Sequence, residues 1–384
     1  MENPLPPNPH FPSSDAAMFL QRAAWLLLLA SVGIPASLLW DFSWESTVGI
    51  DLVWAPPHVA TYLSVLLGGA VVAGLFFSKT ARGFGVRVGK LHAPLGAWIV
   101  AWGTVAFGAA VLFDRWWQSS YGLAAGIWHP PQMLKASAFF AILIGGWLFA
   151  ASAQNRARSS GAVAFSAASG VLLAMINVAT ITLAYPNRQH SAAFYQLACG
   201  LYPLVLAATA SAGRLRFPAT TAALIHLTVM CLLVWLLPLV PAKPQVAPIY
   251  NTLDHLMPPP FPLLLAAPAL ALDALLRWFP GREQRFQDWR RAGECGLAFF
   301  AIFIVVQWPF AQFLLTPAAD HWFFAGGGMH WPFFLKIDPR ARVAFWKMGD
   351  DEFTLARGFA AAGFAVLSTR AGLWLGAWMQ RVQR

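Results

Sequence analysis

The sequence predicts an all-α polytopic integral membrane protein of about ten transmembrane helices, and three observations carry that expectation. Of 384 residues, 58% are hydrophobic and 11% charged, too few charges to coat a soluble domain of this length. Apolar runs of about 18 residues or more, long enough to cross a hydrocarbon core as a helix, recur along the chain. Lys and Arg gather in alternate connections between those runs, as basic loops do on the cytoplasmic side.

Residues 1–17 are Pro-rich and polar and predict a disordered cytoplasmic tail. They lack the basic start and small-residue cleavage site of a removable signal, so the first apolar run is kept as a helix. Spans are expected near 18–40, 57–78, 93–113, 132–153, 161–184, 191–212, 218–240, 260–279, 294–316 and 354–378. The connection after the second span carries Lys79, Arg82, Arg87 and Lys90. Later even-numbered connections carry Arg156 and Arg158, then Arg214 and Arg216, then Arg277, Arg282, Arg285, Arg290 and Arg291. The chain ends in Arg381 and Arg384. Both termini are therefore expected in the cytoplasm of a bacterial inner membrane, with the odd-numbered loops in the periplasm. Topology accounts for much of the net charge of +10, and without a recognition motif nucleic acid is not an expected partner. Cys199, Cys231 and Cys295 all fall in apolar runs, which gives no support to a disulfide framework or a thiolate metal site.

The odd-numbered loops hold most of the chemistry. His58, His129, His190, His255, His321 and His330 lie in them or at their helix junctions, as do Asp41, Glu45, Asp51, Asp114, Asp254 and Asp320. Topology does not require histidines to cluster on one side, so a site is expected there. An internal repeat sharpens it: "DFSWES" then "WAPPH" follows the first span, and "DRWWQS" then "WHPPQ" follows the third. Asp41, Trp44 and Ser46 align with Asp114, Trp117 and Ser119, so one helix–loop–helix unit is used twice in tandem. In each unit an Asp and a polar residue four positions on share a helix face, and a Pro-Pro pair sets a third polar residue in the first turn of the next helix. In the first unit these are Asp41, Glu45 and His58, a competent ligand set for a divalent metal. The second unit offers Asp114, Gln118 and Gln132, with His129 beside them.

The spacing Asp-x3-Glu-x12-His, with "GIDLVWAPPH" entering the next helix, resembles the C subunit of the copper-containing membrane monooxygenases that oxidise methane and ammonia. The resemblance covers about residues 18–155. That family carries Asp-x3-His-x12-His and then Asn-x3-His-x13-His, which fall on Asp41, Glu45 and His58 and on Asp114, Gln118 and Gln132. Asp51 and Trp54 would support the first site. Glu45 in place of histidine hardens that site, so the resemblance implies a divalent transition metal, copper, iron or zinc, without naming which. Glutamines at both histidine positions imply a second site that is empty or is served by His129. His255 and His330 stand further off as alternative ligands.

Residues 18–155 are thus expected to form a repeat-containing domain with the metal site, and 156–384 a second membrane region of unassigned role. Nineteen Trp and thirty Phe fit an apolar cleft for a small hydrophobic substrate, lipid contact or a subunit interface. No nucleotide loop, haem-attachment motif or Cys-x-x-Cys is present, so other membrane subunits and an electron donor are expected partners. Three functions compete. A metal-binding oxidase or monooxygenase subunit predicts stoichiometric metal, a non-catalytic structural subunit with decayed sites predicts none, and a transporter predicts solute uptake. The third is weakened because the units repeat in parallel on the same side and because no Gly- or Pro-broken helix places a charge at the bilayer midplane.

Overall fold

A computed structural model describes residues 14–49, 52–78, 85–122, 128–156, 160–245, 254–278, 285–325 and 351–382. Its helices are α1 (Ser14–Thr47), α2 (Pro56–Phe77), α3 (Leu95–Tyr121), α4 (Pro130–Arg156), α5 (Ser160–Ala179), α6 (Ala192–Ala212), α7 (Pro218–Leu236), α8 (Ala266–Trp278), α9 (Arg285–Leu314) and α10 (Leu355–Met379). One hairpin, β1 (Val86–Val88) with β2 (Leu91–Ala93), is the sheet among the described residues, and Gly89 at φ 61° makes its turn. α2, α4 and α7 open on proline, which lacks only an N–H that the first turn leaves unpaired anyway. Ser191 caps α6 by accepting from the Phe194 amide at 3.2 Å.

Among the described residues nine helices are long and apolar enough to cross a membrane, all but α8, so the protein is an all-α polytopic membrane protein. The expected tenth span, 260–279, is the exception. Only Ala266–Trp278 is helical, a length of about 20 Å. Residues 256–265 before it are non-helical and mostly buried. Pro258, Pro259, Pro260 and Pro262 remove amide donors and disfavour helical geometry in the residues they follow, so an apolar run that scores as a span cannot coil as one. α1 starts at Ser14, inside the expected 1–17 tail, and runs seven residues past the expected end at 40.

The chain divides into two compact units, and the division is not the expected one at 155/156. One unit comprises 1–31, 64–168 and 378–384; the other comprises 32–63 and 169–377. The expected 18–155 domain is therefore shared between them.

In the first unit α3 and α4 approach until backbones touch. A Cβ on Gly96 would strike the backbone of Gly145 and Phe149, one on Gly145 would meet the Gly96 carbonyl at 2.7 Å, and one on Gly103 would meet the Ala138 carbonyl at 2.9 Å. Small residues let membrane helices gain dispersion contacts where no hydrophobic force distinguishes helix from lipid. Asn155 Nδ2, at the end of α4, donates to the carbonyls of Met379 and Val382 at 2.8 Å each.

The second unit uses the same device. Gly170 of α5 lies on the Ala222 carbonyl of α7, and Gly372 and Gly376 of α10 lie on the Leu204 and Ala208 carbonyls of α6. Its apolar clusters join Leu39, Ala174 and Met230; Val48, Leu237 and Leu256; and Cys231, Val234, Phe261 and Leu314.

Candidate functional site at the repeat turns and the broken span

The first motif lies in the second unit. α1 continues through Thr47, so Asp41 and Glu45 are helical, and Pro56 sets His58 in the first turn of α2. His58 Nε2 stands 3.2 Å from Asp41 Oδ1, and Nδ1 lies 2.8 Å from the Leu52 carbonyl. Both partners are acceptors, so the doubly protonated imidazolium satisfies both, whereas a neutral ring donates to only one. Tyr62, one turn on, donates to the Val53 carbonyl at 3.1 Å. Together the two side chains fasten residues 52–53 onto α2.

Glu45 is exposed, one turn of α1 beyond the level of His58. Of the three expected ligands, Asp41 and His58 meet and Glu45 does not join them. Trp54 is 76% exposed and sits edge-on to Tyr62 with ring centres 6.1 Å apart, which makes it an outward anchor and not a support for Asp41. Asp51 and His330 lie outside the described residues.

The second motif lies in the first unit. Asp114 on α3 is buried, and its Oδ2 accepts from Lys135 Nζ at 2.5 Å and from Gln118 Nε2 at 3.2 Å. Gln132 is half-buried one turn before Lys135 on α4, and the His129 ring lies 6.3 Å from that of Trp117. Lys135 was missed by motif reading because it falls three residues past the aligned position, although i and i+3 share a helix face. The repeat is thus real as geometry: in both units an Asp near the end of the first helix meets a basic side chain in the opening turns of the second.

The second motif does not fit a resident metal, because an ammonium sits against the Asp114 carboxylate where a cation would have to bind; the first brings together two of its three expected ligands, Asp41 and His58. Among the described residues no group of three or more His, Cys, Asp and Glu is gathered so as to hold one.

A third polar assembly, which the sequence reading did not find, surrounds the broken span. Ser43 and Thr47 on the buried side of α1 grip its start: Ser43 Oγ donates to the Met257 carbonyl at 2.5 Å, and Thr47 Oγ1 accepts from the Met257 amide at 2.9 Å. Residues 240–242 pair with 254–256 through Ala242 N to Asp254 O and Leu256 N to Val240 O, both 3.0 Å. His255, half-buried here, donates to Asp254 at 2.8 Å and holds that exposed carboxyl below the usual carboxylate range.

At the other end Gln307 Oε1 accepts from the Leu264 amide at 2.9 Å. Gln307 Nε2 donates to Gln189 Oε1 at 2.6 Å, and Gln189 Nε2 donates to the Ala184 carbonyl at 2.6 Å. Both glutamines are fully buried. His190, next to Gln189, is buried edge-on against Trp308 at 4.5 Å, and burial pushes its imidazole below the ordinary value. The visible signals were Gln307, isolated in an apolar run, and four prolines within five residues.

Where an apolar cleft was expected, a groove lined by Thr180, Leu183, Phe194, Leu201, Tyr202 and Leu263 holds about 10 Å³, room for no more than a water molecule. Many of the aromatics pack on one another instead, as in the Phe261, Phe310, Phe313 and Phe324 cluster. No protein-family model, curated protein or solved structure matches the chain.

Proposed function

We propose that the chain is a non-catalytic structural subunit of a membrane complex, in which positions that bind metal in the monooxygenase family it resembles have become internal acid–base pairs. The contact between Lys135 Nζ and Asp114 Oδ2 at 2.5 Å carries the reading. A lysine is a cation that cannot dissociate from its chain, so it does permanently what a bound metal would do reversibly: it neutralises Asp114 and ties α3 to α4. Asp41 and His58 do the same between α1 and α2. In this reading the repeat turns face the periplasm of a bacterial inner membrane, as the basic loops on the other side imply.

The test is elemental mass spectrometry on the protein purified with its partners in mild detergent, beside a Glu45→Ala, His58→Ala double variant. Both should be metal-free, and both should bring down the same partner subunits. About one equivalent of copper, iron or zinc per chain, lost in the double variant, would overturn the proposal in favour of a metal-dependent oxidase subunit. Purification as a lone monodisperse chain would overturn the subunit role.

A further inference from the structure

We infer that the turn between α6 and α7 holds the phosphate headgroup of an anionic phospholipid between two arginines, Arg216 and Arg277. The inference stands apart from the structural-subunit reading and rests on the second unit alone.

The backbone sets the place. α6 ends at Ala212 and α7 starts at Pro218, and both are spanning helices, so residues 213–217 turn round at a face of the membrane. A residue before proline is kept out of helical geometry, and Phe217 stands at φ −136°, ψ 73°, half-buried. α8 reaches the same turn. Its Asp273 accepts from the amides of Ala219 and Thr220 at 3.2 and 2.8 Å and from Thr220 Oγ1 at 2.7 Å. Asp273 thereby caps α7, whose own preceding residue supplies no side-chain cap. One turn further along α8, Arg277 comes out beside the Phe217 ring.

Two cations then converge on one ring. The guanidinium carbon of Arg216 lies 5.3 Å from the centre of the Phe217 ring, and that of Arg277 lies 5.1 Å from the same centre. The ring attracts each of them, but two like charges drawn to one place also repel. A bridging anion reverses the sign of that term. Both arginines are exposed, and Arg214, also exposed, adds charge to the same turn. Among the described residues of α8 and the first turns of α9, the carboxylates are already engaged. Asp273 holds the start of α7, Asp288 meets Arg370 at 3.5 Å, and Glu294 meets Arg290 at 2.8 Å.

Phosphate is the anion such a pair fits, since each planar guanidinium presents paired N–H donors that match two of its oxygens. A lipid is the source because the arginines stand at the ends of spanning helices, where headgroups lie. Trp278, next to Arg277 and 81% exposed, offers the kind of ring that settles at that level.

Native mass spectrometry of the delipidated full chain in mild detergent tests this, with dioleoyl phosphatidylglycerol and zwitterionic dioleoyl phosphatidylcholine as probes. The wild type should bind its first phosphatidylglycerol at least ~10-fold more tightly than phosphatidylcholine, as two cations at the headgroup level predict. Arg216→Gln with Arg277→Gln should bring that preference below ~2-fold. Arg290→Gln with Arg291→Gln removes equal charge from the start of α9 and should preserve it. A wild type without the preference overturns the inference with no variant needed. Retention of the preference in the first pair, or an equal loss in the second, overturns it as well, since either leaves only the diffuse attraction of a basic surface. Inorganic phosphate at the lipid's own concentration should leave the bound phosphatidylglycerol in place. Displacement would make this a site for soluble phosphate and overturn the lipid assignment.

Discussion

Replacing Lys135 with Met removes an ammonium and keeps most of the side chain's length, which isolates the charge term at the α3–α4 pair. Asp114 and Lys135 are 11% and 23% exposed in their side chains, so neither is fully hydrated and neither is fully withdrawn. At the 2.5 Å separation, with an effective dielectric near 20, the raw attraction is about 7 kcal/mol, and desolvation of the two ions offsets more than half of it. The net coupling should be about 2 kcal/mol. Lys135→Met alone should cost more, about 3 kcal/mol, because it strands a carboxylate whose Oδ1 is already buried without a hydrogen-bond donor. Asp114→Asn should cost about 2 kcal/mol, and the double variant about 3 kcal/mol, well below the sum of the singles. Equilibrium unfolding in mixed micelles, read as the shift in denaturing-detergent midpoint across this cycle, measures each value. If the double variant loses as much as the two singles added together, the two groups are not coupled. The argument that lysine replaces a metal at this turn then fails.

Three further outcomes follow from the same geometry. Gln307→Leu leaves the Leu264 amide and the Gln189 Oε1 without their partner and should cost about 2–3 kcal/mol in the same assay, and Gln307→Glu, which sets an acceptor against Gln189 Oε1 and buries a charge, should lose at least as much. Gly145→Val should push α3 from α4, since even a Cβ there meets the Gly96 carbonyl at 2.7 Å; the variant should lose the folded fraction on size-exclusion chromatography, while valine at Gly74, where a Cβ meets open space, should not. His255→Ala should raise the Asp254 carboxyl toward its ordinary value, seen by isotope-edited infrared titration. Because the folded-state value is the depressed one, the pairing is present above the ordinary carboxylate range and is lost as pH falls through the depressed value. An unmoved titration would remove His255 as the cause.

Hydropathy located nine spanning helices because length and apolar content are what a bilayer selects, and both can be counted along a sequence. It failed at 260–279 for a definite reason: the window sums side chains, and the obstacle there is in the backbone, where four prolines withdraw donors without lowering apolarity. The repeat was legible through Asp41 and Asp114 because both copies preserve the acid. Its chemistry was not, since Lys135 sits a turn past the aligned glutamine and only the three-dimensional face brings it to Asp114. Glu45 shows the opposite limit. Four-residue spacing put it on the face of Asp41, but the same spacing sets it about 6 Å further along α1, so His58, which meets Asp41, does not bring Glu45 in. Gln189 and Gln307 lie more than a hundred residues apart, and nothing local to either names the other.

The glycine contacts between α3 and α4 also bear on the order of events during synthesis. These helices are consecutive, joined by a short connection, and they meet backbone to backbone through Gly96, Gly103 and Gly145 with an acid–base pair nearby. A pair of this kind finds its partner without waiting for distant sequence, at low loop-closure cost, as soon as both helices have entered the bilayer. The interleaved units behave otherwise. Residues 1–31 have their remaining unit members at 64–168 and 378–384, so the first unit cannot be completed until residues 378–384 have been synthesised. The α3–α4 hairpin is therefore the template already in place when the C-terminal residues Met379 and Val382 arrive at Asn155, and truncation after α9 should leave that hairpin formed in a unit that stays open.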